Sequence, residues 1–269
     1  MLWFTVLVAC SGSAEGEAVR HDVSEGHYYV VVPPGVDPST APALVHLHHS
    51  GRADVDAYDE RLLEAFAAEG LVGVFPQGWG DERDDWNVGD NRHDIPRDDV
   101  AFLLEVAGDV SQRLSPGSLW LGGASKGGAM TWELACLAAE SPFDGFLPMT
   151  GAIEKPLPAP CVHPPRPLRH LQGLHDDGHW PEWTADDPES SHMGIMDSLA
   201  ALEGADPACL PTSPDAGPDG SEGPYDAEPG CLSWDCDAPL ALCWYDGGHG
   251  VPRDWVSRQA TAVRSWSER

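Results

Sequence analysis

Serine at position 125 sits in Gly123-Ala124-Ser125-Lys126-Gly127, a spacing that suits an activated hydroxyl. Ser118-Leu119-Trp120-Leu121-Gly122 before it reads as a short apolar strand, and Gly128 to Ala139 after it reads as a helix. A strand that turns at once into a helix crowds its corner, so the glycines at 123 and 127 have a steric purpose. The hydroxyl is pushed out of the turn as a nucleophile, and the N-terminus of the helix faces any developing oxyanion. Such a serine needs a base, and the base needs an acid to orient it. Two later loops offer both: His175-Asp176-Asp177 after the apolar run Leu168 to Leu174, and Asp246-Gly247-Gly248-His249-Gly250 after Leu240 to Tyr245. Asp177 rivals its neighbour Asp176 as the acid, and His249 is one of 12 histidines. His46 and His48 share a strand face, and His175, Asp176, Asp177 and His179 share a loop, a set that also suits a metal. Core histidines and a triad acid explain the same residues more simply, so neither metal nor cofactor is expected.

The elements that must position these groups are legible from periodicity. Strands are expected at His27 to Val32, Ala43 to Leu47, Leu71 to Phe75, the run before Ser125, Phe146 to Thr150, Leu168 to Leu174 and Leu240 to Tyr245. Helices are expected at Asp56 to Glu69, stopped by Gly70, at Asp98 to Leu114, after Ser125, and at Trp255 to Trp266. Alternating strands and helices predict an α/β fold with a mostly parallel sheet and helices on both faces. Ligands in such sheets bind beyond the carboxyl ends of the strands, where Ser125 falls. The order serine, acid, histidine on successive loops is that of the α/β-hydrolase fold.

With 269 residues and 42% hydrophobic content, one domain is expected over 27–269. The 44 acidic against 15 basic residues give a net charge of −29, which repels nucleic acid and anionic lipid headgroups. Residues 1–26 read as a targeting segment and flexible tether. Leu7-Val8-Ala9-Cys10 resembles a bacterial lipobox, so Cys10 is the candidate lipidation site and a membrane tether. The apolar start is too short to span a bilayer and lacks a basic n-region. Setting Cys10 aside leaves an even set at 136, 161, 209, 231, 236 and 243, which points to disulfides and export. Spacing favours Cys236 with Cys243, Cys209 with Cys231, and Cys136 with Cys161, though spacing alone does not fix connectivity. Zinc is the competing use, but no pair has C-x-x-C spacing. Pro211 to Gly230 reads as a solvated acidic loop; its Asp215, Asp219 and Asp226 lack the spacing of a calcium loop. Trp79, Trp86, Trp180 and Trp183 fall on predicted loops at the Ser125 end, either as stacking surfaces for substrate or as loop anchors.

Several phrases, in register from about residue 27 to 252, resemble the secreted polyhydroxybutyrate-depolymerase-like and feruloyl-esterase-like α/β-hydrolases. They are Tyr29-Val30-Val31-Val32-Pro33-Pro34-Gly35, Leu47-His48, Phe75-Pro76-Gln77-Gly78, Trp86-Asn87 and Asp98-Asp99-Val100-Ala101-Phe102. The elbow with Gly128 and Met130, Leu134-Ala135-Cys136 and Gly247-Gly248-His249 complete the set. The resemblance implies Ser125, Asp176 and His249 as a triad, secretion, and hydrolysis of a small or polymeric ester without a cofactor. Backbone N–H groups of Lys126 and of the His49-Ser50 region are then the expected oxyanion hole. The chain departs from the family at three places. His49 stands where glycine is usual, Lys126 where asparagine is common, and Gln172 where the acid loop usually has histidine. A side chain at 49 reshapes or obstructs the oxyanion hole, and Lys126 brings a cation near the nucleophile. Two other classes compete with an exported serine esterase. Serine peptidases share the elbow but usually carry a gating domain, for which this length leaves no residues. A non-catalytic surface protein that kept the scaffold is the other, favoured only by His49.

Overall fold

The computed structural model describes residues 16–51, 60–80, 85–89, 95–137, 141–154, 166–176, 194–195, 198–199, 230–235 and 238–268. Among them, nine strands form one sheet: β1 (Ala18–Val23), β2 (Gly26–Val31), β3 (Pro42–Leu47), β4 (Val72–Pro76), β5 (Ser118–Ala124), β6 (Gly145–Met149), β7 (Leu168–Gly173), β8 (Cys231–Asp235) and β9 (Pro239–Tyr245). Their spatial order is β1-β2-β4-β3-β5-β6-β7-β9-β8. The pairs from β4 through β3, β5, β6 and β7 to β9 are parallel. Antiparallel pairs stand at the two ends, β1 with β2 and β2 with β4 on one side, β8 with β9 on the other. Because β5, β7 and β9 run in one direction, the loops after them leave the same edge of the sheet.

Four helices are described: α1 (Glu60–Glu69), α2 (Asp99–Leu114), α3 (Lys126–Leu137) and α4 (Arg253–Ser267). They divide between the two faces, and the strand side chains alternate to meet them. Ala43, Val45 and Leu47 of β3, with Val72 and Val74 of β4, pack with α2 and α3 through Phe102, Val106, Met130 and Trp132. Leu44, Phe75 and Trp120 point the other way, onto Phe66 of α1 and Val256, Ala260 and Val263 of α4. Burial on both faces explains why Leu71 to Phe75 reads as an unbroken apolar run. Asp98 caps α2, its side chain accepting from Ala101 N–H at 3.0 Å. Gly70 follows α1 at φ +66°, a left-handed stop that glycine takes without strain.

Three expectations need correction. Ala18–Val23, expected to lie in the flexible tether, is a strand hydrogen-bonded along β2. Val19, Asp22 and their neighbours alternate between half-buried and exposed, an edge strand with too little apolar signal to stand out. A further strand, β8, directly precedes β9 in the chain. It also overturns the cysteine pairing: Cys231 and Cys243 face each other directly across β8 and β9 and form a disulfide, with Cα atoms 3.9 Å apart. Strand register brought together two cysteines that spacing had assigned elsewhere. Cys136 is disulfide-bonded as well. Cys10, Cys161, Cys209, Cys236, Trp180, Trp183 and the stretch 211–229 lie outside the described residues, as does Asp177.

Candidate active site

Ser125 is the single residue between the end of β5 and the start of α3, and it takes φ +57°. A non-glycine residue there costs on the order of 1–2 kcal/mol, so its neighbours must hold it. They do so from both sides: Ser125 N–H donates to Met149 O at 2.9 Å, and its carbonyl accepts from Ala129 N–H at 2.9 Å. The flanking glycines are required by contact. A Cβ at 123 would lie 2.6 Å from the Gly127 carbonyl oxygen, and one at 127 would lie 2.6 Å from His48 O. The first N–H groups of α3, beginning at Lys126, have no acceptor within the helix, which makes this corner electropositive.

The two later loops bring their side chains to the serine. Ser125 Oγ–H donates to His249 Nε2 at 2.7 Å, and His249 Nδ1–H donates to Asp176 Oδ2 at 2.9 Å. Asp176 is fully buried, whereas His249 is partly open to solvent. The Asp176 loop and the His249 loop are docked on each other. Leu174 N–H donates to Tyr245 O at 3.0 Å and His175 N–H to Gly247 O at 2.8 Å. Tyr245 O–H donates to Gly248 O at 2.7 Å, and burial pushes that phenol well above its ordinary range. An exposed pair, His175 Nε2 with Asp246 Oδ1 at 2.9 Å, joins the loops at the surface. Gly173 allows the close approach, since a Cβ there would lie 2.7 Å from Gly247 O and nearer still to Gly248 O.

Beside Ser125 and His249 lies a cleft of about 290 Å³, walled by Ala124, Met149, Leu62, Val251 and Val256. His46, His48 and His49 form its polar side. His48 is held neutral by geometry: Nδ1–H donates to His49 O at 2.9 Å, while Nε2 accepts from Gly78 N–H at 2.9 Å. His46 packs edge-on against Phe66 and Phe75. His49 is exposed, and its ring nitrogen Nδ1 donates to Ser50 O at 2.9 Å. Ser50 Oγ–H in turn donates to Asp85 at 2.9 Å. The side chain at 49 is therefore tied to its own loop at the cleft wall.

The motif phrases Gln77-Gly78, Trp86-Asn87 and Asp98-Asp99 converge behind this wall, on a residue that the sequence did not single out. Arg97 is buried and pairs with Asp99, and it donates to Gln77 O at 3.0 Å. Asp99 also accepts from Asn87 N–H at 2.7 Å, and burial raises its carboxyl against the pull of Arg97. Trp86 belongs to this platform and is not a stacking surface. It is fully buried, and its indole N–H donates to His48 O at 2.8 Å, so no face is left for substrate. Trp79 is exposed, with Arg97 5.7 Å from its ring centroid, and it does not line the cleft.

The cation of Lys126 does not stand alone beside the nucleophile. Its Nζ donates to both carboxylate oxygens of Glu154, at 2.7 and 2.8 Å. The Glu154 side chain is 1% exposed and that of Lys126 17%. Gly89 makes the space, since a Cβ there would lie 2.5 Å from Glu154 Cβ. The sequence offered Lys126 without its partner, which lies 28 residues away on the segment after β6. Among the described residues, no three histidine, cysteine, aspartate or glutamate side chains gather as a metal site.

No protein-family model and no curated protein matches the chain. Solved structures do. An S-formylglutathione hydrolase from Agrobacterium tumefaciens matches with a TM-score of 0.60 and 12% identity, over 98% of this chain and 99% of that one. An acetyl xylan esterase from Aspergillus awamori gives 0.59 and 11%, over 90% and 94%. The Bacillus cereus carboxylesterase gives 0.55 and 14%, over 88% and 94%. At such identities the likeness is one of fold, and the chain has the α/β-hydrolase fold.

Proposed function

We propose that the protein is a serine esterase in which Ser125, His249 and Asp176 act as a triad. The observation that carries this reading is the unbroken chain of hydrogen bonds from Ser125 Oγ through His249 to Asp176. His249 Nε2 takes the hydroxyl proton as Oγ attacks the ester carbonyl carbon. The developing oxyanion is met by the N-terminus of α3, through Lys126 N–H, and by a backbone N–H of the His49-Ser50 loop. Collapse of the tetrahedral adduct breaks the ester bond, and the alkoxide leaves with the proton from His249. Water then gives a proton to His249 as it attacks the acyl-enzyme; the acyl–Oγ bond breaks, His249 returns that proton to Oγ, and the acid leaves. Asp176 keeps the imidazole in the tautomer with Nδ1–H and stabilises the imidazolium between steps.

The cleft of about 290 Å³ is at the small end of ligand sites and mostly apolar along one wall, which favours a short acyl group. Membership of the polyhydroxybutyrate-depolymerase-like and feruloyl-esterase-like group is part of the proposal and rests on the sequence phrases. Export, with lipidation at Cys10, is also proposed; the Cys231–Cys243 disulfide supports an oxidising compartment. Hydrolysis of p-nitrophenyl acetate by the purified protein tests the central reading. Wild-type protein turns the ester over, and Ser125→Ala abolishes turnover while keeping the native circular dichroism spectrum. Retained hydrolysis in the variant overturns the assignment.

A further inference from the structure

Behind the triad acid lies a second set of polar groups that the ester chemistry does not use. His170 and Gln172 are two residues apart on β7, so they project from the same face of the sheet. Both are buried, as is Trp132 of α3, whose ring packs against that of His170. Trp132 Nε1–H lies 3.2 Å from His170 Nδ1 and 3.0 Å from Gly151 O. His170 Nε2 lies 3.2 Å from Gln172 Oε1, and Gln172 Nε2 lies 3.0 Å from Asp176 Oδ2. That same carboxylate oxygen accepts from His249.

The polarity of this chain is forced from its inner end. An indole N–H can only donate, so His170 Nδ1 must accept. Burial holds the His170 imidazole down to about 4, so at neutral pH it carries one proton, and that proton is on Nε2. Nε2–H then donates to Gln172 Oε1. The amide is thereby turned with its NH₂ toward Asp176, where it donates to Oδ2. A flipped amide would set its oxygen against the carboxylate and its NH₂ against the His170 N–H, two contacts between like partners in a buried site.

We infer that Gln172 is a positioning residue for the triad acid, and that Trp132 and His170 fix its amide in the donating orientation. The inference rests on the triad reading of Ser125, His249 and Asp176. Gln172 supplies a fixed donor to the carboxylate that orients His249, at a place no solvent reaches. It touches neither substrate nor the reacting atoms. Its effect is on the Asp176–His249 contact: a carboxylate deprived of a donor binds the imidazolium proton more tightly and is itself more easily protonated. Both changes move the acidic limb of the rate profile in one direction, to higher pH.

The test uses the full chain and the variant Gln172→Met, which keeps the length of the side chain and removes the N–H. Three quantities are read: kcat and KM on p-nitrophenyl acetate, the pH profile of kcat/KM, and the downfield proton resonance of His249 Nδ1–H. We expect kcat to fall about tenfold with KM little changed, as for a reacting group held slightly off its geometry. The acidic limb moves up on the order of one pH unit, and the resonance shifts. His170→Phe, which leaves Gln172 in place but frees its amide to turn, gives smaller changes of the same sign. A Gln172→Met enzyme with wild-type kcat and an unmoved acidic limb overturns the inference. The resonance keeps the two readings apart. If the wild-type protein fails to cleave esters, a resonance moved by Gln172→Met still supports the positioning role, and an unmoved one refutes it. If Gln172→Met does not fold, the same resonance in His170→Phe decides.

Discussion

Gly173→Ala is the smallest change that should separate the acid from the base. Residue 173 ends β7, one turn of chain before Asp176, and faces the loop that carries His249. An added methyl would lie 2.7 Å from Gly247 O and closer to Gly248 O, whereas carbon and oxygen tolerate contact only from about 3.3 Å. The loops must therefore part by more than roughly half an ångström, because backbone oxygens cannot swing aside as a side-chain tip does. Carried into the Asp176–His249 bond of 2.9 Å, that displacement takes it past the usual hydrogen-bonding limit of about 3.2 Å. We expect a loss of about 1–3 kcal/mol in stability, from overpacking, and a drop in kcat of about 100-fold from misalignment. Urea unfolding and steady-state hydrolysis of p-nitrophenyl acetate measure the two separately. An alanine variant that is folded and hydrolyses the ester at the wild-type rate would refute the claim that close docking of these loops sets the triad.

Glu154→Gln removes the buried carboxylate that Lys126 meets through both oxygens beside the nucleophile. With Lys126 still 17% exposed, we expect about 2–4 kcal/mol of destabilisation in urea unfolding, largely restored by adding Lys126→Met. His170 makes a signed prediction about acid. Its folded value of about 4 lies below the ordinary 6.5, so between those values the unfolded chain binds the proton that the folded one refuses. Stability therefore falls as pH drops from 6.5 toward 4, by roughly 3 kcal/mol at most from this residue. His170→Phe should lose correspondingly less over that range than the wild type, and equal losses in the two proteins would count against a buried neutral imidazole.

Much of the fold was legible because its parallel strands are buried on both faces and punctuated by glycine. Leu71 to Phe75 and the run into Ser125 carry that signal without help from tertiary context. The rule that loops after parallel strands share an edge put Ser125, His249 and the pair Asp176 and Asp177 at one rim, and the choice of Asp176 came from the family resemblance. What escaped depends on pairing between distant segments. Ala18–Val23 is half polar and becomes a strand only through β2. The Cys231–Cys243 bond follows from register between β8 and β9, which cysteine spacing does not encode. Trp86 sits on a loop, and nothing in its sequence neighbourhood says that its ring turns inward to His48. Glu154 and His170 were invisible for the same reason, and Gln172 stood out only as a departure from a family pattern, without its partners. A buried polar group is recognisable only when its partner is in view.

On the proposed mechanism, His249 makes the hydroxyl of Ser125 nucleophilic at neutral pH. Mass spectrometry after treatment with a fluorophosphonate measures that property without reference to any natural substrate. One adduct per chain is expected, mapped to the peptide containing Ser125 and lost when His249 is replaced by alanine. Folded protein that takes up no adduct, or carries it elsewhere, would contradict it.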